Sequence, residues 1–163
     1  MRILAIDPGF ERVGIAVLEK QDRKERLLYS SCFKTLSSEP FATRLNMIGT
    51  EITRLVKEWG PDGLAIETLF FNTNQKTVMR VAEARGVIIY AATSLGLSLY
   101  EYTPLQIKIA VTGYGRATKT QVEGMVNRLI EVKKPVLHDD EMDAIAIGLT
   151  AIASISPRYP HQK

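Results

Sequence analysis

Residues 1–17 read MRILAIDPGFERVGIAV. Ile3, Leu4, Ala5 and Ile6 form a short continuous apolar run, which suits a strand covered on both faces. Pro8-Gly9 ends it, and a second apolar run from Val13 to Leu18 begins within a few residues, the pattern of a hairpin. Asp7 therefore stands at the end of an apolar strand. Asp-Pro-Gly is also ordinary turn chemistry, with the carboxylate bonded to nearby backbone. Asp7 alone settles nothing, and the weight falls on other acids along the chain.

Outward from the hairpin, residues 2–8, 12–20 and 26–34 read as three strands in antiparallel order, because their connections are short. Ser37-Ser38-Glu39-Pro40 predicts a helix start with a serine cap and proline in the first turn. Phe41, Leu45, Ile48, Ile52, Leu55 and Trp59 follow at helical spacing as a core stripe. Gly60-Pro61-Asp62-Gly63 ends that helix, and Leu64 to Glu67 is a further short buried strand. A long helix is expected from Gln75 to about Leu95, then a strand over Leu97–Tyr102. Helices follow over Pro104–Val111, over Thr118–Ile130 with Val122, Met125, Val126 and Leu129 inward, and over Asp139–Ile155. The order implies an α/β layered domain with a mixed sheet. Residues 1–156 are expected to form one domain and 157–163 a frayed tail.

The chain has 163 residues, enough for one domain with a full core and too few for two comfortable ones. A net charge of +3 is compatible with a nucleic-acid partner without demonstrating one. The single cysteine, Cys32, fits a reducing compartment. No run approaches the length of a membrane span, and Met1-Arg2 leads straight into a strand, so no signal peptide and a cytoplasmic location are expected.

Glu67 repeats the anomaly of Asp7, an acid at the carboxyl end of an apolar strand, where α/β enzymes place ligand-contacting groups. Asp139-Asp140-Glu141-Met142-Asp143 then enters an otherwise apolar helix. Acids in a first turn complement the helix dipole, and Asp139 makes a good cap. That accounts for Asp143 least well, since it lies deeper. Asp140 and Asp143, three apart, project from one face; Asp139 and Asp143 would serve as well. Carboxylates gathered at one spot repel unless a cation lies between them, and hard divalent ions are the usual solution. Two Mg²⁺ held by such a cluster are the apparatus of phosphodiester hydrolysis. With His138 and His161 the only histidines, no zinc spacing exists, and His138 beside the cluster reads as surface chemistry.

AIDPGFERVGIAV, LAIETLFFNTNQKTVMRVAEARG, YTPLQIKIAVTGYGRATKTQV and DDEMDAIAIGLTAI, in that order over nearly the whole chain, together resemble the RuvC family of Holliday-junction resolvases. The resemblance implies a ribonuclease-H-like fold: a mixed five-stranded sheet with helices on both faces. It implies that Asp7, Glu67, Asp140 and Asp143 are the catalytic carboxylates and hold two Mg²⁺ per site, with Mn²⁺ able to substitute. It implies a homodimer that binds a four-way DNA junction and nicks two strands of like polarity symmetrically, leaving ligatable ends, in homologous recombination and repair. A branch-migration helicase complex is an expected partner. It further implies DNA roles for Phe70, Lys108 and Lys119. Two departures stand out: Glu141-Met142 lie between the last two acids where the family commonly has two alanines, which leaves Asp139 or Asp140 open as penultimate ligand. Phe10 also stands where a small hydroxyl residue is frequent.

Read from the residues, Phe70-Phe71 at the mouth of such a site offers a ring to an unpaired base. Lys108, Arg116 and Lys119 surround a glycine-flexed loop that suits a phosphate clamp. Lys76, Arg80 and Arg85 add charge on the long helix. The small residues Ala82, Ala84, Gly86, Ala91 and Ala92 mark that helix as the dimer face, with packing on its own sheet as the ordinary alternative. Three other readings compete. A nucleotide-binding ATPase-like module lacks room for its second lobe, the full acid set speaks against a non-catalytic junction-binding protein, and the Phe70 and Lys108–Lys119 segments speak against an RNA-processing nuclease.

Overall fold

The computed structural model describes residues 1–22, 24–69, 75–132, 135–136 and 138–155, the side chains of 75 and 76 excepted. Three strands open the chain: β1 (Arg2–Asp7), β2 (Arg12–Gln21) and β3 (Lys24–Lys34). There follow α1 (Phe41–Trp59), β4 (Gly63–Glu67), α2 (Gln75–Thr93) and β5 (Ser98–Tyr102). The last three helices are α3 (Pro104–Thr112), α4 (Lys119–Leu129) and α5 (Asp139–Ser154). The strands form one sheet in the order β3-β2-β1-β4-β5. Both hairpin pairs, β1–β2 and β2–β3, are antiparallel, while β1–β4 and β4–β5 are parallel. Mixed pairing follows from the connections: turns join the first three strands and helices join the rest.

The alternation of each strand splits its apolar residues between two cores. On one face Leu4, Ile6, Ile15, Val17, Leu64 and Ile66 pack against Ile48, Ile52 and Leu55 of α1 and Ala84, Ile88 and Ala92 of α2. On the other, Ile3, Ala5, Ala16, Leu18 and Ala65 pack against α3, α4 and α5. The mixed five-stranded sheet with helices on both faces is therefore as expected. Helix α5 is apolar almost all round, with eleven residues from Glu141 to Ile152 buried, as befits a helix covered by its neighbours. It lies close on the sheet because Gly148 has no side chain to meet Leu18 and Ala5.

Some local expectations are corrected. The first residue before α1 is Pro40, with no side-chain cap; Ser37 and Ser38 form a separate turn in which Glu39 N–H donates to Leu36 O. His138 rather than Asp139 precedes α5, also without a side-chain cap. Leu129 of α4 is exposed, and the residue that turns inward after Val126 is Ile130, just past the helix end. By contrast Thr103 and Thr118 close reciprocal caps with Gln106 and Gln121, fixing the starts of α3 and α4. Among the described residues no helix is long and apolar enough to cross a membrane. The tail 157–163 lies outside the described residues.

Candidate active site

Ile6 of β1 faces Ile66 of β4 in parallel register, so the next residues, Asp7 and Glu67, emerge side by side at the carboxyl ends of two adjacent central strands. The end of β4 is pinned by Arg85, whose Nε donates to Glu67 O at 3.0 Å and whose far nitrogen pairs with Glu101. Arg85 thus acts as a strut between β4 and β5. Helix α5 delivers Asp140 and Asp143 from its first turns. Its approach depends on Gly14, which pairs with Asp7 across β1–β2. A Cβ on Gly14 would strike the backbone carbonyl of Asp140 and come within 3.1 Å of Asp7 Cβ.

The four acids feel one another. Burial and then the carboxylates of Asp143, Glu67 and Asp140 push Asp7 up to about 8. Burial and Asp143 push Glu67 up to about 7, with Lys108 acting in the opposite sense. Burial also raises Asp143, against the pull of Lys119. Asp139 differs in kind: it is exposed, and a hydrogen bond from Lys119 lowers it. Asp140 is much less exposed than Asp139, and its charge acts on Asp7.

Cations meet this cluster from outside. Lys119 Nζ donates to Asp143 Oδ2 at 3.0 Å and pairs with Asp139 Oδ2 at 3.2 Å. These bonds hold the ammonium above its ordinary value even though burial works the other way. Arg12 Nε lies 3.1 Å from Asp140 Oδ2, and Cys32 Sγ points at the same oxygen from 4.0 Å. Burial raises the Cys32 thiol, which marks it as a packed neighbour and not a thiolate nucleophile. A cleft of about 270 Å³ runs beside the acids, lined by Glu67, Lys108, Lys119, Asp143, Ile107 and Ala146. Lys108 and Lys119 are thus brought to the acids. Arg116 is exposed in the α3–α4 loop and does not line that cleft. Phe70 lies outside the described residues. A larger groove of about 410 Å³ lined by Tyr114, Gln121, Met125 and Arg128 contains no carboxylate and is not where the chemistry gathers.

Among the described residues no three acidic, histidine or cysteine side chains already close on one point as metal ligands. The donor set nevertheless fits a hard divalent ion. Its members are oxygen donors only, and two of the carboxylates are pushed toward protonation by burial and by the neighbouring acids, the setting that a bound cation would relieve. Lys119 and Arg12 each bond one carboxylate oxygen, Oδ2 of Asp143 and of Asp140. Arg12, Gly14 and Cys32 were missed in the sequence. Only Gly14, a lone glycine inside an apolar strand, carried a signal of close approach.

A family model described as crossover junction endodeoxyribonuclease RuvC matches residues 3–151. A protein of that description from Halothermothrix orenii is 44% identical over 149 residues, covering 91% of this chain and 90% of the relative. One from Finegoldia magna is 42% identical over 159 residues, covering 98% and 97%. Among solved structures, Thermus thermophilus RuvC in complex with a Holliday junction substrate superposes with a TM-score of 0.87 at 32% identity, covering 93% of each chain.

Proposed function

The chain belongs to the RuvC family of crossover junction endodeoxyribonucleases, with its ribonuclease-H-like fold, and from that premise we propose that it resolves four-way DNA junctions by paired, symmetric nicks. The observation that carries the reading is the meeting of Asp7, Glu67, Asp140 and Asp143 at the carboxyl ends of β1 and β4 under the first turns of α5. A strand-end acid explained by turn chemistry alone would not be coupled to three other carboxylates.

In this reading the four acids hold divalent cations, two Mg²⁺ per site. Such ions would supply an activated water and neutralisation of the charge on the phosphate and its leaving oxygen. The chain's own groups do the rest. Glu67 and Asp7, on rigid strand ends, fix the donor oxygens relative to the cleft. Lys108 and Lys119 sit on its wall, where they bind the strand's backbone. Lys119, already an ammonium shared between Asp143 and Asp139, is placed to stabilise charge in the transition state. Phosphodiester hydrolysis adds water across the P–O bond, and a 3′-hydroxyl opposite a 5′-phosphate is what a ligase can seal.

The junction's two-fold symmetry calls for a two-fold dimer. Helix α2 supplies a face for it: Met79, Ala82, Gly86 and Tyr90 are exposed at helical spacing, Met79 by 65% and Tyr90 by 75%. Ala84 and Ala92 instead pack on the chain's own sheet. A cytoplasmic location fits a DNA substrate and is part of this reading.

The test compares a synthetic mobile four-way junction with a matched duplex, in Mg²⁺ or EDTA, for the wild type and Glu67→Gln. Paired ligatable nicks in the junction alone, dependent on metal and on Glu67, are expected. Tight junction binding without a cut across several branch-point sequences would sink the catalytic part of the reading, and cutting of structured RNA in preference to junctions would replace it.

A further inference from the structure

Phe10, the residue that departs from the family's pattern, begins a cluster that the carboxylate site does not use. Its ring meets Phe41 of α1 edge to face, with centroids 5.9 Å apart and an interplanar angle of 76°. Two guanidinium groups lie against these rings. Arg44 is buried at 4% exposure. It stacks on Phe10 at 4.9 Å, and its nitrogens donate to Thr35 Oγ1 and Phe10 O. Thr35 Oγ1 also donates to Phe10 O, at 2.6 Å. The platform is thus pinned from beneath by bonds to its own backbone.

Arg80 of α2 lies on top of it and is different. Its guanidinium carbon is 5.2 Å from the Phe41 centroid and 5.7 Å from that of Phe10. It is exposed, and among the described residues no carboxylate lies within ion-pair distance of it, whereas Arg2, Arg12, Arg44, Arg54 and Arg85 each have one. A long cationic side chain normally loses rotamer entropy when it is fixed in place. Here two aromatic faces hold the guanidinium while leaving its donors to solvent. That is a preorganised anion contact. It stands in the α1–α2 layer, on the Phe10 loop that follows Asp7, whereas Lys108 and Lys119 belong to the layer on the other face of the sheet.

We propose that Arg80, seated on Phe10 and Phe41, grips a backbone phosphate of the junction DNA on the side of the carboxylates opposite Lys108 and Lys119, so that the strand is held on both sides of the site. The inference rests on the junction reading above. Its ligand is a phosphodiester, recognised through charge and not through base identity.

Binding of a labelled four-way junction is measured in Mg²⁺ at several salt concentrations, in a Glu67→Gln background so that no strand is cut. Arg80→Gln is expected to weaken binding about threefold per contact near physiological salt and to flatten the slope of log affinity against log salt by about one per contact. The loss is the same for junctions of different branch-point sequence, and Arg80→Lys restores the slope because it restores the charge. Phe41→Leu keeps the charge and removes one ring, and it gives an intermediate loss of affinity at unchanged slope. Unchanged affinity and slope in Arg80→Gln overturn the proposal, as does a loss that varies with branch-point sequence. A lowered melting temperature with unchanged binding also overturns it and leaves Arg80 as packing between α1 and α2. Failure of the Arg80-intact protein to prefer junction over duplex is a separate outcome, and it sinks the junction reading itself.

Discussion

Gly14 of β2 backs onto the carbonyl of Asp140 so closely that a methyl group has no room between them. Because Gly14 also faces Asp7 across the hairpin, one missing side chain sets the spacing between the first strand's acid and the helix that brings two more. Gly14→Ala must push backbone against backbone, and overpacking of that kind costs about 1–3 kcal/mol. For a domain of this size that lowers the melting temperature by roughly 2–4 °C per kcal/mol. The distinguishing expectation is that nicking falls far more than stability does, because Asp140 moves away from Asp7. A variant that melts lower but nicks at the wild-type rate refutes this role for Gly14.

Without metal, the protein is predicted to lose stability as pH rises from 6 to 8.5. The folded state holds Glu67 at about 7 against an ordinary 4.5 and Asp7 at about 8 against 3.8. The folded chain therefore binds these protons more tightly than the unfolded one. Their stabilising share is present below the ordinary values and is lost as pH climbs toward about 8. Over the window named, an average difference slightly above one proton amounts to about 4 kcal/mol. Thermal melts in EDTA should show this fall, Asp7→Asn should flatten it, and Mg²⁺ should raise the melting temperature more at pH 8.5 than at pH 6. A melting temperature that climbs with pH in EDTA contradicts it.

The exposed face of α2 is expected to join two copies. Tyr90, lying beside a groove of about 450 Å³ lined by Leu45, Gly49, Thr53, Val87 and Ala91, is its most prominent ring. Tyr90→Glu puts a charge where two such faces would meet, and it touches none of the acids. Sedimentation at micromolar concentration should give a dimer for the wild type and a monomer for the variant, whose nicks should no longer come in pairs. A wild-type monomer ends this assignment of the face.

Asp7, Glu67 and Asp143 stood out because each breaks a local rule: an acid has no business ending an apolar strand, and Asp143 lies too deep in α5 to serve the helix dipole. The sheet was legible because turn residues and apolar runs alternate without ambiguity. Arg12, Arg44, Arg80 and Arg85 were not, since a guanidinium on a surface strand or helix reads alike whether it is solvated, stacked or pinning a backbone carbonyl. Only the folded chain shows Arg44 buried against Thr35 and Phe10, and Arg80 supported on Phe10 and Phe41. The mistaken serine cap before α1 has a similar cause: Ser37 and Ser38 sit in a turn that satisfies itself before Pro40 begins the helix. Between Asp139 and Asp140 the spacing to Asp143 could not choose, and burial and the Lys119 bond separate them.

Lys119 separates a catalytic from a stabilising role most cleanly. Its ammonium touches Asp143 and Asp139, but both it and Asp139 are well exposed, and exposed pairs contribute only about 0–1 kcal/mol. Lys119→Met should therefore leave the melting temperature nearly unchanged. Junction nicking should nonetheless fall by about 10²–10³, the usual loss when one preorganised charge at a developing anion is removed. Binding should weaken only slightly, since one contact among several is lost. The same substitution frees Asp143 from a competing cation, so divalent ions should bind the variant somewhat more tightly in a calorimetric titration without DNA. Slow nicking together with tighter metal binding is the pattern of a lysine that acts on the phosphate. If nicking and metal binding fall together, Lys119 instead serves to hold Asp143 in place for the ion.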